Sequence, residues 1–290
     1  MKVALTGATG IAGGGLLAAL RAAGHEVTVL GRRPLAGAAH QSWALGQPAE
    51  LGAMDALVHA AFAHAPGRYR GGEGDDPTGF RYLNLNGTLR LFAAMPQGRP
   101  IVFLSSRAVY DGWPAGTVLT EDHAPRPQDL YGEVKTRAEQ ALFARGGASL
   151  RATGLYGPGP AMKWRSLFDA FDRGETPAPR VATELHVADM AAAALMLIET
   201  RATGAFNASG LTLDRRDLLT AYLHATGRTA ALRPDQSAAL PGPLPAPLPN
   251  RADPGALKVM RCDRLRDLGW RPRPASQFAA DLGDMLKQQP

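Results

Sequence analysis

Two residues four apart, Tyr131 and Lys135 in the run Tyr131-Gly132-Glu133-Val134-Lys135, are the first candidates for proton chemistry in this chain. On a helix that spacing sets both side chains on one face. An ammonium held beside a phenol favours the phenolate and lowers its pKa from about 10, which brings the tyrosine toward general acid–base work near neutral pH. A second constellation is Thr6-Gly7-Ala8-Thr9-Gly10-Ile11-Ala12-Gly13, with glycines at 7, 10 and 13. Gly7 and Gly10 permit a tight turn that brings the backbone close to a pyrophosphate. Gly13 lets a helix pack tightly on a sheet and aim its N–H groups at the phosphates. The spacing carries that meaning only between a strand and a helix; elsewhere it is an ordinary glycine-rich turn.

The elements around these residues meet that condition. Val3-Ala4-Leu5 is a short buried-strand pattern, and Ile11 to Ala23 reads as a helix that stops at Gly24. Further strands are expected at Glu26 to Leu30, near Ser42 to Leu45, at Asp55 to Ala60, at Pro100 to Ser105 and at Ala148 to Thr153. Helices are expected from about Phe80 to Met95 and Asp129 to Arg145. Strands alternating with helices predict an α/β fold, a Rossmann-type doubly wound parallel sheet. The last third predicts helices at about Val187 to Thr200, Leu213 to Thr226 and Ser276 to Gln288, with a short strand near Phe206. The expected division is a nucleotide-binding domain of residues 1–156 and 181–207, and a smaller substrate-binding domain of 157–180 and 208–290. Residues 64–79 have the Gly, Asp and Pro density of a loop beyond a strand end. Seven prolines between 234 and 254 exclude a helix or central strand there and suggest an extended flap or tether.

After the second strand, where an acid would read a ribose 2′-hydroxyl, stand Gly31-Arg32-Arg33. A guanidinium can grip a 2′-phosphate that an acid would repel, so NADP(H) is expected over NAD(H). The other reading is a pair of solvated surface charges.

Leu104-Ser105-Ser106-Arg107-Ala108-Val109-Tyr110, followed by Tyr131 and Lys135 and preceded by the glycine run, resembles the extended short-chain dehydrogenase/reductases, the NAD(P)-dependent epimerase/dehydratase family. Asn84 to Leu91, Leu155-Tyr156-Gly157-Pro158-Gly159, His186-Val187-Ala188-Asp189 and Asp263 to Pro272 resemble further motifs of that family, so the likeness covers most of the chain. The resemblance implies a catalytic set of Ser106, Tyr131 and Lys135. It implies a cofactor set of Gly7, Thr9, Gly10, Ile11, Gly13, Arg32, Arg33, Ala60, Asn84, Tyr131, Lys135 and Tyr156. Lys135 would also hold the nicotinamide ribose. A homodimer built on the helices near Phe80 to Met95 and Asp129 to Arg145 is implied as well.

Departures from the family pattern narrow the reaction. Ser106-Arg107-Ala108 stands where family dehydratases carry Thr-Asp-Glu, and the lone cysteine, Cys262, is far from a catalytic position. Hydride transfer at a keto or hydroxyl carbon is the leading expectation, a nucleotide sugar being one candidate substrate. A UDP-hexose 4-epimerase with tightly held NAD is the second, and a non-catalytic NADP(H) sensor the third. Asn84 reads equally as a helix cap or a site residue. His59 reads as a satisfied core histidine, and His186 as a brace between domains. Arg68, Arg70 and Arg107 flank the expected cleft and could meet an anionic substrate.

The composition agrees with such an enzyme. At 290 residues, 45% hydrophobic and 20% charged, the chain can bury a core of one large α/β unit or two domains. A net charge of +6 comes with no basic stripe interleaved with aromatics, so nucleic acid is not an expected partner. One cysteine excludes an internal disulfide framework and a multi-cysteine zinc site, and fits a reducing compartment. The longest apolar run, Met190 to Ile198, is too short to span a bilayer. A cytoplasmic location is the expectation.

Overall fold

The structure is a computed structural model that describes residues 1–65, 68, 71–228 and 245–288. The chain opens with β1 (Lys2–Thr6), α1 (Ile11–Ala22), β2 (Glu26–Gly31), β3 (Ala39–Ser42) and β4 (Ala56–His59). α2 (Pro77–Arg81), α3 (Gly87–Ala94), β5 (Ile101–Ser106), β6 (Val118–Leu119), α4 (Leu130–Ala144), β7 (Ala148–Ala152) and β8 (Gly154–Tyr156) follow. Then come α5 (Arg165–Asp172), β9 (Val181–His186), α6 (Val187–Glu199), β10 (Gly204–Ala208), β11 (Leu211–Asp214) and α7 (Arg215–Ala225). β12 (Val259–Met260), α8 (Asp263–Asp267) and α9 (Phe278–Lys287) complete the chain.

Seven strands form one sheet in the order β10-β7-β5-β4-β1-β2-β3, every pair parallel. Its central strands are almost wholly buried and mostly apolar, with polar residues such as Thr6, His59 and Arg151 among them, as a sheet covered by helices on both faces requires. Strand order reverses between β1 and β4, where Thr6 lies opposite His59, and the crevice at that reversal is where such sheets bind ligands. One core lies against α1 and α6, with Leu16, Leu20, Met190 and Leu197 packed on Val3, Leu5 and Val29. The opposite face of the sheet buries Leu57, Phe92, Phe103 and Leu142. A separate cluster gathers Tyr156, Phe168, Phe171, Leu219, Phe278 and Leu282 from β8, α5, α7 and α9. Cys262, Leu265 and Trp270 are buried in the first core, although they come from the C-terminal part of the chain.

Several boundaries differ from the sequence reading. The third strand is Ala39–Ser42 rather than Ser42 to Leu45. It is a polar edge strand, and the apolar Trp43 beyond its end is buried without belonging to it. The helix expected from Phe80 to Met95 begins at Pro77, where Asp76 accepts from the Gly79 amide, and it contains a π-helical turn at Tyr82–Asn86. The helix expected from Leu213 starts at Arg215, because Leu211–Asp214 pairs with β9 and Asp214 caps the helix. α9 starts two residues later than the Ser276 expected, behind a 3-10 turn at Ala275–Gln277. α5 and the short strands β6, β8, β9, β11 and β12 carried no sequence signal strong enough to place them. Of the proline-rich stretch, residues 234–244 lie outside the described residues, and 245–253 run without helix or strand.

Candidate active site

The glycine run forms the turn between β1 and α1. Gly7 has φ +75°, and a Cβ there would meet the Ala60 carbonyl carbon and Ala61 nitrogen at 2.7 Å. A Cβ on Gly13 would lie 2.0 Å from the Gly7 oxygen. Both positions therefore exclude a side chain, and helix and strand approach as closely as the fingerprint demands. Gly10 is the N-cap of α1 and provides no side-chain cap, so the amides of the first turn have no side-chain acceptor from that position. Thr9 and Gly10 are exposed and Ile11 is half-buried. This open, donor-rich helix start fits a dinucleotide pyrophosphate.

Arg32 and Arg33 follow the end of β2 and are exposed. The Gly31 carbonyl just before them accepts from His40 Nε2 at 2.9 Å and from the Trp43 amide at 3.1 Å, which anchors the start of the arginine turn.

Behind the crevice, the Thr6 hydroxyl accepts from the Ala60 and Ala61 amides at 3.1 Å each. It lies 2.7 Å from His59 Nδ1, while His59 Nε2 lies 2.8 Å from the Thr88 hydroxyl. With its oxygen already accepting, Thr6 donates to Nδ1, and His59 Nε2–H donates to Thr88. Burial pushes the His59 pKa down to about 3. His59 is a fully buried, neutral core histidine.

Asn84 is not a helix cap. It sits inside the π-helical turn, where Oδ1 accepts from the Ala63 amide at 2.7 Å. Its Nδ2 donates to the Ala63 and Phe80 carbonyls at 2.8 and 3.0 Å. The wider turn delivers this side chain to the loop after β4, consistent with the frequent appearance of such turns at functional sites.

Ser106 ends β5, and its hydroxyl accepts from the Ala108 amide at 3.2 Å, capping the 3-10 turn Arg107–Tyr110. α4 starts with Asp129, whose carboxylate accepts from the Gly132 amide at 2.7 Å. A Cβ on Gly132 would meet the Ala108 carbonyl at 2.8 Å. The glycine next to Tyr131 thus lets the first turn of α4 press on the turn that follows Ser106, which brings the serine and tyrosine segments together.

Lys135 is 3% exposed. Its Nζ donates to the Leu104 carbonyl at 2.7 Å and lies 5.7 Å from the centre of the Tyr131 ring. Burial lowers its pKa to about 7, against a smaller opposing pull from Glu139. The ammonium also faces the rings of Phe62 and Phe103, at 4.5 Å each. Neither phenylalanine had a signal in the sequence, because nothing in local spacing tells which ring will face Lys135.

Tyr156 is buried in the C-terminal cluster, edge-on to His186, with its hydroxyl donating to Asp281 at 3.5 Å. His186 accepts from the Ala188 amide and caps α6. Arg107 pairs with Asp111 at 3.7 Å and, with Gln128, Asp129 and Lys258, lines a cavity of about 450 Å³ beside the Ser106 turn. Arg68 is exposed, and Arg70 lies outside the described residues. Among the described residues, no His, Cys, Asp and Glu cluster could hold a metal ion, and no helix is long and apolar enough to cross a membrane.

Residues 3–209 match the model of the NAD dependent epimerase/dehydratase family. The chain belongs to this family. It is an NAD(P)-dependent enzyme of the extended short-chain dehydrogenase type, and its fold and motif order agree. This epimerase/dehydratase family member is 30% identical over 298 residues, 94% of its length and 96% of the relative's, to a 3-diazoavenalumate denitrifying reductase from a Streptomyces species. Its fold matches a Thermus thermophilus UDP-glucose 4-epimerase in complex with NAD, with TM-score 0.74, 24% identity and all of both chains covered. It also matches a Methanobrevibacter ruminantium UDP-N-acetylglucosamine 4-epimerase, with TM-score 0.77, 19% identity and 99% and 97% of the two chains covered.

Proposed function

We propose that this enzyme is an NADP(H)-dependent oxidoreductase that moves a hydride to or from a keto or hydroxyl carbon, with nucleotide sugars as one candidate substrate class. The observation that carries the cofactor choice is the exposed pair Arg32 and Arg33 at the end of β2, where no acid stands to meet a ribose 2′-hydroxyl. Gly7, Thr9, Gly10, Ile11 and Gly13 would hold the pyrophosphate, Ala60 and Asn84 would shape the wall beside it, and Lys135 would reach the nicotinamide ribose. Tyr156 would contribute from the far side, through the turn that follows it. When bound, the nicotinamide supplies or accepts the hydride. In the reducing direction Tyr131 gives its proton to the carbonyl oxygen, Ser106 donates a hydrogen bond to that oxygen, and Lys135 stabilises the phenolate left behind. The proton is then restored from solvent, so one carbonyl becomes one alcohol.

The relative named a denitrifying reductase supports a net reduction. The two epimerase-like folds favour a second reading, a UDP-hexose 4-epimerase that retains NAD. Titration of purified protein with NADPH and NADH separates them, together with assay of any cofactor released on denaturation. The proposal expects NADPH to bind at least about tenfold more tightly and the Arg32→Ala, Arg33→Ala double variant to lose that preference. Release of near-stoichiometric NAD would overturn it in favour of the epimerase. A Tyr131→Phe variant with unchanged turnover would instead revive a sensing role. The same reading places a homodimer in the cytoplasm; sedimentation at micromolar concentration checks the dimer.

A further inference from the structure

Phe62 stands between two anchored points of the loop that follows β4. On one side, Thr6 holds the amides of Ala60 and Ala61. On the other, Asn84 holds both the amide and the carbonyl of Ala63. The residue between has little backbone freedom left, and its ring is set edge-to-face on Tyr131 at 5.1 Å and on Phe80 at 5.4 Å. The same ring presents to Lys135 Nζ at 4.5 Å, with Phe103 at 4.5 Å. An ammonium with three donors has here, among the described residues, one hydrogen bond, to Leu104. Beside that bond, two aromatic faces and the charge of Glu139 act on the ammonium.

We propose that Phe62 is a positioning residue of the active site, which holds the Tyr131 phenol and the Lys135 ammonium in register and closes Lys135 off from water. The proposal rests on the reading of Tyr131 and Lys135 as the proton-transfer pair. It assigns a role to a residue on a different element from either. The groups around Lys135 leave few alternatives for this role. β4 contributes His59, neutral in the fold; β5 contributes the Leu104 carbonyl and the Phe103 ring. α4 contributes Tyr131 and Glu139, and that carboxylate is committed to Arg151 of β7 and to Ser149.

Two substitutions at position 62 act in opposite directions. Phe62→Leu keeps the site dry but removes the ring face, so the ammonium loses stabilisation. Phe62→Ala opens the site to water, which favours the charged form. The experiment follows the Nζ resonance of Lys135 by NMR in protein labelled with [15N]lysine, without added cofactor. The chain has five lysines, and loss of one signal in Lys135→Met assigns it. Relative to the wild type, the Lys135 midpoint should fall by about half a pH unit or more in Phe62→Leu. It should rise by about one unit or more in Phe62→Ala, and Phe62→Tyr, which keeps the ring, should restore the wild-type value. Unchanged midpoints in both the Leu and Ala variants, with thermal melting showing both folded, would overturn the proposal. If Ala fails to fold, the Leu and Tyr pair decides alone. Because the titration uses neither substrate nor cofactor, it stands apart from the NADPH binding test of the functional reading.

Discussion

At the scale of single residues, the site couples buried groups to pH. Lys135 has a pKa of about 7 in the fold, against about 10.4 in an unfolded chain. Between those values the unfolded chain binds more protons, so stability rises with pH across this window. We expect urea denaturation at pH 7 and pH 9 to show wild type more stable at pH 9, and Lys135→Met to lose most of that difference. His59 behaves in the same sense at lower pH. Its folded pKa of about 3 lies below the ordinary 6.5, so its contribution is complete above pH 6.5 and is lost as pH falls toward 3. At Gly7, φ is +75° and a Cβ would strike Ala60. Gly7→Ala should therefore abolish measurable NADPH binding and cost at least about 1–2 kcal/mol of stability, checked by titration and thermal melting.

At the scale of elements, one buried network fixes α4 to the strands that it serves. Arg151 of β7 donates from Nε and Nη2 to the Glu139 carboxylate, at 3.0 and 2.6 Å to its two oxygens, and Ser149 donates to the same carboxylate at 2.5 Å. Arg151 also donates to the Tyr110 hydroxyl, which donates to Asn207 of β10 at 3.1 Å. Tyr110 ends the turn after Ser106, and Glu139 lies one helical turn beyond Lys135. The serine and the tyrosine–lysine face are thus tied to a common ion pair in the interior. Arg151→Met leaves Glu139 buried without its counter-charge and should cost about 3–5 kcal/mol, seen as a lower urea midpoint. Glu139 and Arg151 are 10 and 45 residues from Ser149 and Ser106 by number, and no periodicity in the sequence linked them. α4 itself was legible, because the Tyr–Lys spacing sets a helical face locally. The polar β3 and the π-helical turn were not, since pairing at a sheet edge and insertion of one residue in a helix are settled by neighbours.

At the scale of the whole molecule, Arg273 joins the Rossmann layer to the C-terminal cluster. It donates to Asp189 of α6 at 3.2 Å and to Asp281 of α9 at 2.9 Å, and Asp281 in turn accepts from Tyr156. Trp270 Nε1 donates to the Asp189 carbonyl at 2.9 Å and its ring fills the first core. Arg273→Ala should cost roughly 1–3 kcal/mol and speed hydrogen exchange in α9 more than in β1 or β5. Equal protection of α9 in both proteins would show that packing of Phe278 and Leu282 alone holds the helix.

Residue type and spacing were enough to specify the fold class, the glycine turn between β1 and α1 and the Tyr131–Lys135 face. Each depends on contacts within about one turn of helix or on alternation along a strand, where neighbours in the chain act on one another directly. Long-range packing was needed to show that Asn84 braces a loop, that His59 is held neutral between two hydroxyls, and that Phe62 meets Lys135. Those contacts join segments 21 to 73 residues apart, and only the assembly of β4, β5 and α4 brings them within reach.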